Sequence, residues 1–181
     1  MNFINPGLFK EDDLPIIILC DDLRGFLGWA IKAHSSGNYS HVMTLYKPGM
    51  VATQNFNGFQ VKGLDQYLKA SQMLKFWRVK NMTDMETITI IGNIQRRLAL
   101  PWWKRQYDFL GVLVGQLTNI RWLQNPWKMY CSEQIKVDYL DAIERLKHIE
   151  FGRPSPSDLD RIFKEYPDTF EALGYWLDGE A

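Results

Sequence analysis

Two strand-like runs, YSHVMTLY over Tyr39–Tyr46 and MVATQNF over Met50–Phe56, stand on either side of a Pro48-Gly49 pair. Proline presets φ for the first position of a tight turn, and glycine tolerates the positive φ that the second can require. The two runs therefore read as an antiparallel hairpin. Pro15–Asp22 (PIIILCDD) reads as a buried strand, rich in β-branched residues and ending in polar ones. Leu74–Val79 (LKFWRV) reads as a further strand, alternating apolar and basic.

Helical spacing lies outside that cluster. Phe26, Leu27, Ala30 and Ile31 recur at helical intervals before Gly37, and Met85, Ile88, Ile91 and Ile94 fall three apart within Thr83–Leu98. Cys131–His148 carries the clearest helical pattern, with Ile135, Leu140, Ile143 and Leu146 on one side. The prolines between 153 and 157 lead into a last short helix near Asp158–Lys164. Trp102–Trp127 holds four of the seven tryptophans and reads as helix mixed with loop. Strands grouped early, with helices before and after them, predict an α+β fold rather than a parallel α/β sheet. The 181 residues fit one domain, 1–181.

Charge narrows the partners. Lys plus Arg and Asp plus Glu both number 21, so the net charge is zero and the basic excess of a nucleic-acid binder is missing. An anionic membrane gains no global attraction either. The apolar run Ile16–Cys20 is far too short to span a bilayer, so no stable membrane insertion is expected. Residues 1–13 lack a basic leader followed by an apolar run, and two cysteines build no disulfide framework. The expectation is a cytoplasmic protein with reduced thiols.

Cys131 follows Tyr130 and opens the strongest helical pattern. Unsatisfied N–H groups at a helix start favour thiolate over thiol and can hold a developing oxyanion. Glu133 suits the helix start but opposes a thiolate slightly. The plainer reading of Cys131 is a small buried hydrophobe. His41 lies in a strand between Ser40 and Val42, where a core histidine is the plainer reading. His34, in a polar stretch, and His148, late in a helical pattern, read as solvated. No close-spaced set of His, Cys and carboxylates suggests a metal, and no glycine-rich loop suggests a phosphate. No cofactor is expected.

Taken in order, YSHVMTLY, MVATQNFNGF, QYDF at Gln106–Phe109, YCSE at Tyr130–Glu133 and PSPSDL form a combination. It resembles the circularly permuted branch of the NlpC-type papain-like cysteine peptidases and amidases, the YiiX-like proteins, over roughly Pro15–Leu159. The resemblance implies an antiparallel sheet packed against helices, with Cys131 as nucleophile and His41 as general base. It also implies a polar third residue on the strand after the histidine, and here the common acidic choice is replaced by Gln54 or Thr53. A two-residue loop at Pro48-Gly49 sets Lys47 opposite Met50 and, counted on, Met43 opposite Gln54, on the face of His41. Gln54 is then the orienter, accepting Nδ1–H; a three-residue loop would select Thr53. Tyr130, and secondarily Tyr39, could add a hydroxyl near the oxyanion, while Tyr107 and Asp108 would support the helix end. The function expected is hydrolysis of an amide through a thioester, with peptides, cell-wall peptides among them, as substrates. A lipid acyl hydrolase or acyltransferase of the same fold and a non-catalytic binding domain are the alternatives.

Overall fold

The computed structural model describes residues 2–21, 37–55, 57–69, 71, 73–106, 131–152 and 154–177. Its strands are β1 (Ile16–Cys20), β2 (His41–Lys47), β3 (Met50–Asn55), β4 (Gly58–Gly63), β5 (Met73–Val79) and β6 (Phe170–Leu177). They form one antiparallel sheet in the order β4-β3-β2-β1-β5-β6. Four α-helices accompany it among the described residues: α1 (Asp65–Leu68), α2 (Asp84–Leu98), α3 (Cys131–Leu140) and α4 (Pro156–Glu165). The architecture is α+β, as the order of patterns along the chain predicts.

Side chains alternate along a strand, so the sheet carries a core on each face. One face takes Ile17 and Leu19 of β1 and is covered by Ile90 and Ile94 of α2, Ile135 and Tyr139 of α3, and Leu159 and Phe163 of α4. The other takes Ile16, Ile18 and Cys20 and packs with Leu14, Leu64 and Tyr67. The amino-terminal segment lies along β6, where the Ile4 N–H donates to Tyr175 O and the Tyr175 N–H to Asn2 O, each at 2.8 Å.

The β2–β3 hairpin forms with the expected two-residue loop, Lys47 opposite Met50. Gly49 has φ +70°, and Pro48 before it completes the pattern of a type II turn. Such a turn splays the right-handed twist of the strands it joins. Next to it β2 carries a bulge: Tyr46 is an extra residue between the pairs Leu45–Val51 and Lys47–Met50. Beyond the bulge Met43 faces Thr53 and not Gln54. The register counted from the turn is therefore corrected by one residue, which exchanges the faces of Thr53 and Gln54.

Other expectations change in detail. α2 forms behind a capping box at Thr83, whose Oγ1 accepts from Glu86 N at 3.2 Å while Glu86 Oε2 accepts from Thr83 N at 2.8 Å. Its buried residues are Ile90 and Ile94, while Met85 and Ile88 are 70% and 62% exposed. Steps of three lag a helix by about 60° each, so a row spaced by three turns from solvent to core. α3 ends at Leu140 rather than His148; there Tyr139 O accepts from both Ala142 N and Ile143 N. A 3-10 turn at Glu144–Leu146 follows and keeps Leu146 buried. Lys75, expected on an apolar-basic alternation, is buried with Nζ 2.6 Å from Asp160 Oδ1. β4 and β6 add two strands that the apolar patterning does not mark. The helix expected at Phe26–Ile31 lies outside the described residues, as does the chain from 107 to 130. Among the described residues no helix is long and apolar enough to cross a membrane.

Candidate functional site

His41 is the first residue of β2, and its side chain shares a face with Met43. Its Nε2 lies 2.6 Å from Thr53 Oγ1. Thr53 is fully buried, and its Oγ1 also accepts from the Tyr67 hydroxyl, at 3.5 Å. The Tyr67 ring runs parallel to the imidazole, 10° apart in plane with centroids 6.0 Å apart. A threonine oxygen has two acceptor lone pairs, so one hydroxyl can serve the imidazole and the phenol together. The orienting partner that the structure brings to His41 is thus Thr53, the alternative of the two candidates, and it engages Nε2 rather than the expected Nδ1.

Gln54 does a different job. It is buried, and its Nε2 donates to Arg105 O at 3.1 Å, while the Phe59 N–H reaches the same oxygen at 2.7 Å. A Cβ at Gly58 (φ +91°) would come within 2.5 Å of that carbonyl, so the close approach needs glycine. Gln54 anchors the short 3-10 turn Trp102–Lys104 to the β3–β4 hairpin.

Cys131 opens α3, which packs across β2 and β3. The β2–β3 ladder reaches only to Met43–Thr53, whereas β3 runs on with β4 to Asn55–Gly58. The strands therefore part at the end where His41 and Val42 lie. There the backbone N–H groups of Val42, Ser132 and Cys131 itself lie beside the sulfur, where they favour its charged form, and the sulfur sits in the helix-covered core, on the face opposite that of Met43 and the His41 side chain. First-turn amides of a helix have no partner within it, which leaves them for the thiol. Even so, burial outweighs them: Cys131 is 2% exposed, and the loss of water pushes its pKa up to about 11. The resting group is a neutral thiol, which corrects the expectation that the helix start alone would favour thiolate. Cys20, the other cysteine and likewise in no disulfide, lies inside β1 with no exposure.

The helix that carries Cys131 is fixed by buried polar contacts. The Ser132 hydroxyl donates to Pro154 O. Asp138 is fully buried and takes Arg97 Nη2 of α2 at 2.8 Å and Gln134 Nε2 at 3.2 Å. Desolvation raises the Asp138 pKa to about 6 against the opposing pull of Arg97. Ahead of His41, Tyr39 is held by Ser157 of α4: its N–H donates to Oγ at 3.1 Å and its carbonyl accepts from the same hydroxyl at 3.2 Å. Tyr39 is buried in the core, a packing and positioning role at this end of the sheet. Tyr130, Tyr107 and Asp108 lie outside the described residues, as does His34. His148 meets Tyr166 edge-on, far along the chain from the site.

Tyr67 joins His41 and Thr53 without any mark in the sequence. It sits in a four-residue helix after β4, and nothing in its local pattern sets it apart from an ordinary core aromatic. Among the described residues no group of three His, Cys, Asp or Glu side chains could hold a metal ion. No protein-family model matches the chain, and no curated protein matches it.

Proposed function

We propose that the chain is a cysteine hydrolase of the circularly permuted papain-like type, cleaving an amide bond through a thioester. The observation that supports the reading is a shared strand end: Thr53 holds His41 on the face of Met43 and Tyr67, and the next backbone amide, of Val42, lies against the Cys131 sulfur in the core of the opposite face, so the imidazole reaches the thiol round the end of β2. With Nε2 on Thr53, Nδ1 is the nitrogen assigned to the proton exchange. His41 takes the thiol proton as sulfur attacks the substrate carbonyl, because the buried thiol does not ionise beforehand. The tetrahedral intermediate collapses as His41 returns that proton to the leaving nitrogen. Water then enters, gives a proton to His41 and hydrolyses the thioester, which restores the thiol. Amides at the start of α3 stabilise negative charge as it develops. A peptide amide is the first substrate class.

The non-catalytic alternative has one observation in its favour, the burial of Cys131. Chromogenic peptide amides and activated acyl esters separate the two readings. Hydrolysis lost in both Cys131→Ala and His41→Ala supports the enzyme; a Cys131→Ala protein as active as the parent overturns it.

A further inference from the structure

Between Glu86 and Asp108 the chain has no acidic residue and four cations, Arg96, Arg97, Lys104 and Arg105, in a protein whose net charge is zero. Arg97 is taken up by Asp138. The same stretch holds the most concentrated exposed apolar surface among the described residues: Leu100 is 38%, Trp102 64% and Trp103 58% exposed. These side chains lie on a rigid support. Lys104 N bonds to Pro101 O and Arg105 N to Trp102 O, and Arg105 O is gripped by both Gln54 and Phe59. The two indole rings meet edge to face at 84°, with centroids 6.1 Å apart.

Tryptophans that expose an apolar ring and a polar N–H beside cations have the chemistry of a lipid–water interface. A fixed turn also loses little conformational entropy on docking. We propose that the Leu100–Trp103 turn docks on an anionic phospholipid surface, the indoles entering the interface and Arg96 lying among the headgroups. Charge complementarity selects this occupant, since a stretch without acidic residues that exposes Arg96 suits anionic lipid. The docking surface is independent of the chemistry proposed for Cys131. Because the turn is tied to the residue after Thr53, docking would hold the candidate site close to the bilayer.

The test is cosedimentation of the full chain with vesicles of phosphatidylcholine containing about one-third phosphatidylglycerol, against phosphatidylcholine alone. The parent should bind the anionic vesicles more tightly and lose binding as salt rises. Trp102→Ala and Trp103→Ala should each weaken binding by about tenfold or more, and Arg96→Glu should remove the preference for phosphatidylglycerol. Cys131→Ala should bind like the parent, which separates this result from the fate of the hydrolase reading. The substituted side chains are exposed, so an unchanged melting temperature shows that the variants fold. No binding by the parent, or equal binding by the Trp102→Ala/Trp103→Ala protein, overturns the proposal. It is equally overturned if that double change dissolves a dimer of the parent without affecting vesicles, because the surface is then a self-interface.

Discussion

His41 Nε2 and Thr53 Oγ1 stand 2.6 Å apart because Tyr46 bulges out of the strand between the turn and the site. Without that extra residue, Gln54 would share the face of His41 and Thr53 would point to the opposite core. One bulge therefore decides which side chain orients the imidazole.

Thr53→Val keeps the volume and removes the hydroxyl, leaving Nε2 beside a methyl group. Turnover should fall by about ten- to a hundredfold with Cys131 labelling retained, since tautomer control is lost and the nucleophile is not. Gln54→Ala should nearly keep turnover and cost about 1 kcal/mol of stability, through the hydrogen bond to Arg105 O. Steady-state kinetics with urea unfolding of both variants decides; the opposite ranking would restore Gln54 as orienter.

The raised pKa of Cys131 has a defined pH signature. In the folded protein, alkylation should climb towards pH about 11, whereas in denaturant it should climb from the ordinary thiol value of about 8.5. Folding favours the neutral thiol, so this contribution to stability is full below the unfolded value and is lost as pH rises through the folded one. Iodoacetamide labelling followed site by site should still find Cys131 faster than Cys20, which lies wholly within a central strand. Faster labelling of Cys20 would remove Cys131 from the reactive role.

Arg97→Met should destabilise the fold at neutral pH by about 3–5 kcal/mol, because it strands the buried Asp138 carboxylate. Asp138 has a folded pKa of about 6, above its unfolded value, so its contribution is full in acid and is lost as pH rises through about 6. Denaturant melts should therefore show a larger penalty for Arg97→Met near pH 7.5 than near pH 5. A penalty that is larger in acid would contradict the burial argument.

The second buried pair is asymmetric. Asp160 accepts from Lys75 Nζ, from Trp77 Nε1 at 3.0 Å and from Lys164 Nζ at 2.6 Å. Lys75→Met leaves that carboxylate two donors, whereas Asp160→Ala leaves the Lys75 ammonium buried against Trp77 and Tyr175. Asp160→Ala should cost about 3 kcal/mol or more and Lys75→Met clearly less, as read from urea midpoints. Equal losses would show that Lys164 and Trp77 do not sustain the carboxylate.

The strands around the site were legible because β1, β2 and β3 are apolar runs closed by polar residues or by a Pro-Gly turn. The loop length at Pro48-Gly49 was legible too, but the bulge was not, since Tyr46 fits the alternation of either register. β4 (GFQVKG) carries only two large apolar residues, and β6 is irregular where its register shifts opposite Phe76 and Trp77. The burial of Lys75 and Asp138 depends on partners from distant elements, Asp160 and Arg97, which no local pattern reveals. Tyr67 meets His41 only through the fold.

The proposed reaction passes through a covalent acyl-enzyme on Cys131, formed with His41 as base. Intact-mass and peptide-mapping measurements after single-turnover mixing with an activated acyl ester test it most directly. The predicted result is one acyl group on Cys131, formed more slowly by His41→Ala and absent in Cys131→Ala, with Cys20 unmodified. An adduct spread over surface lysines, or acylation of Cys131 at the same rate in His41→Ala, would contradict the account.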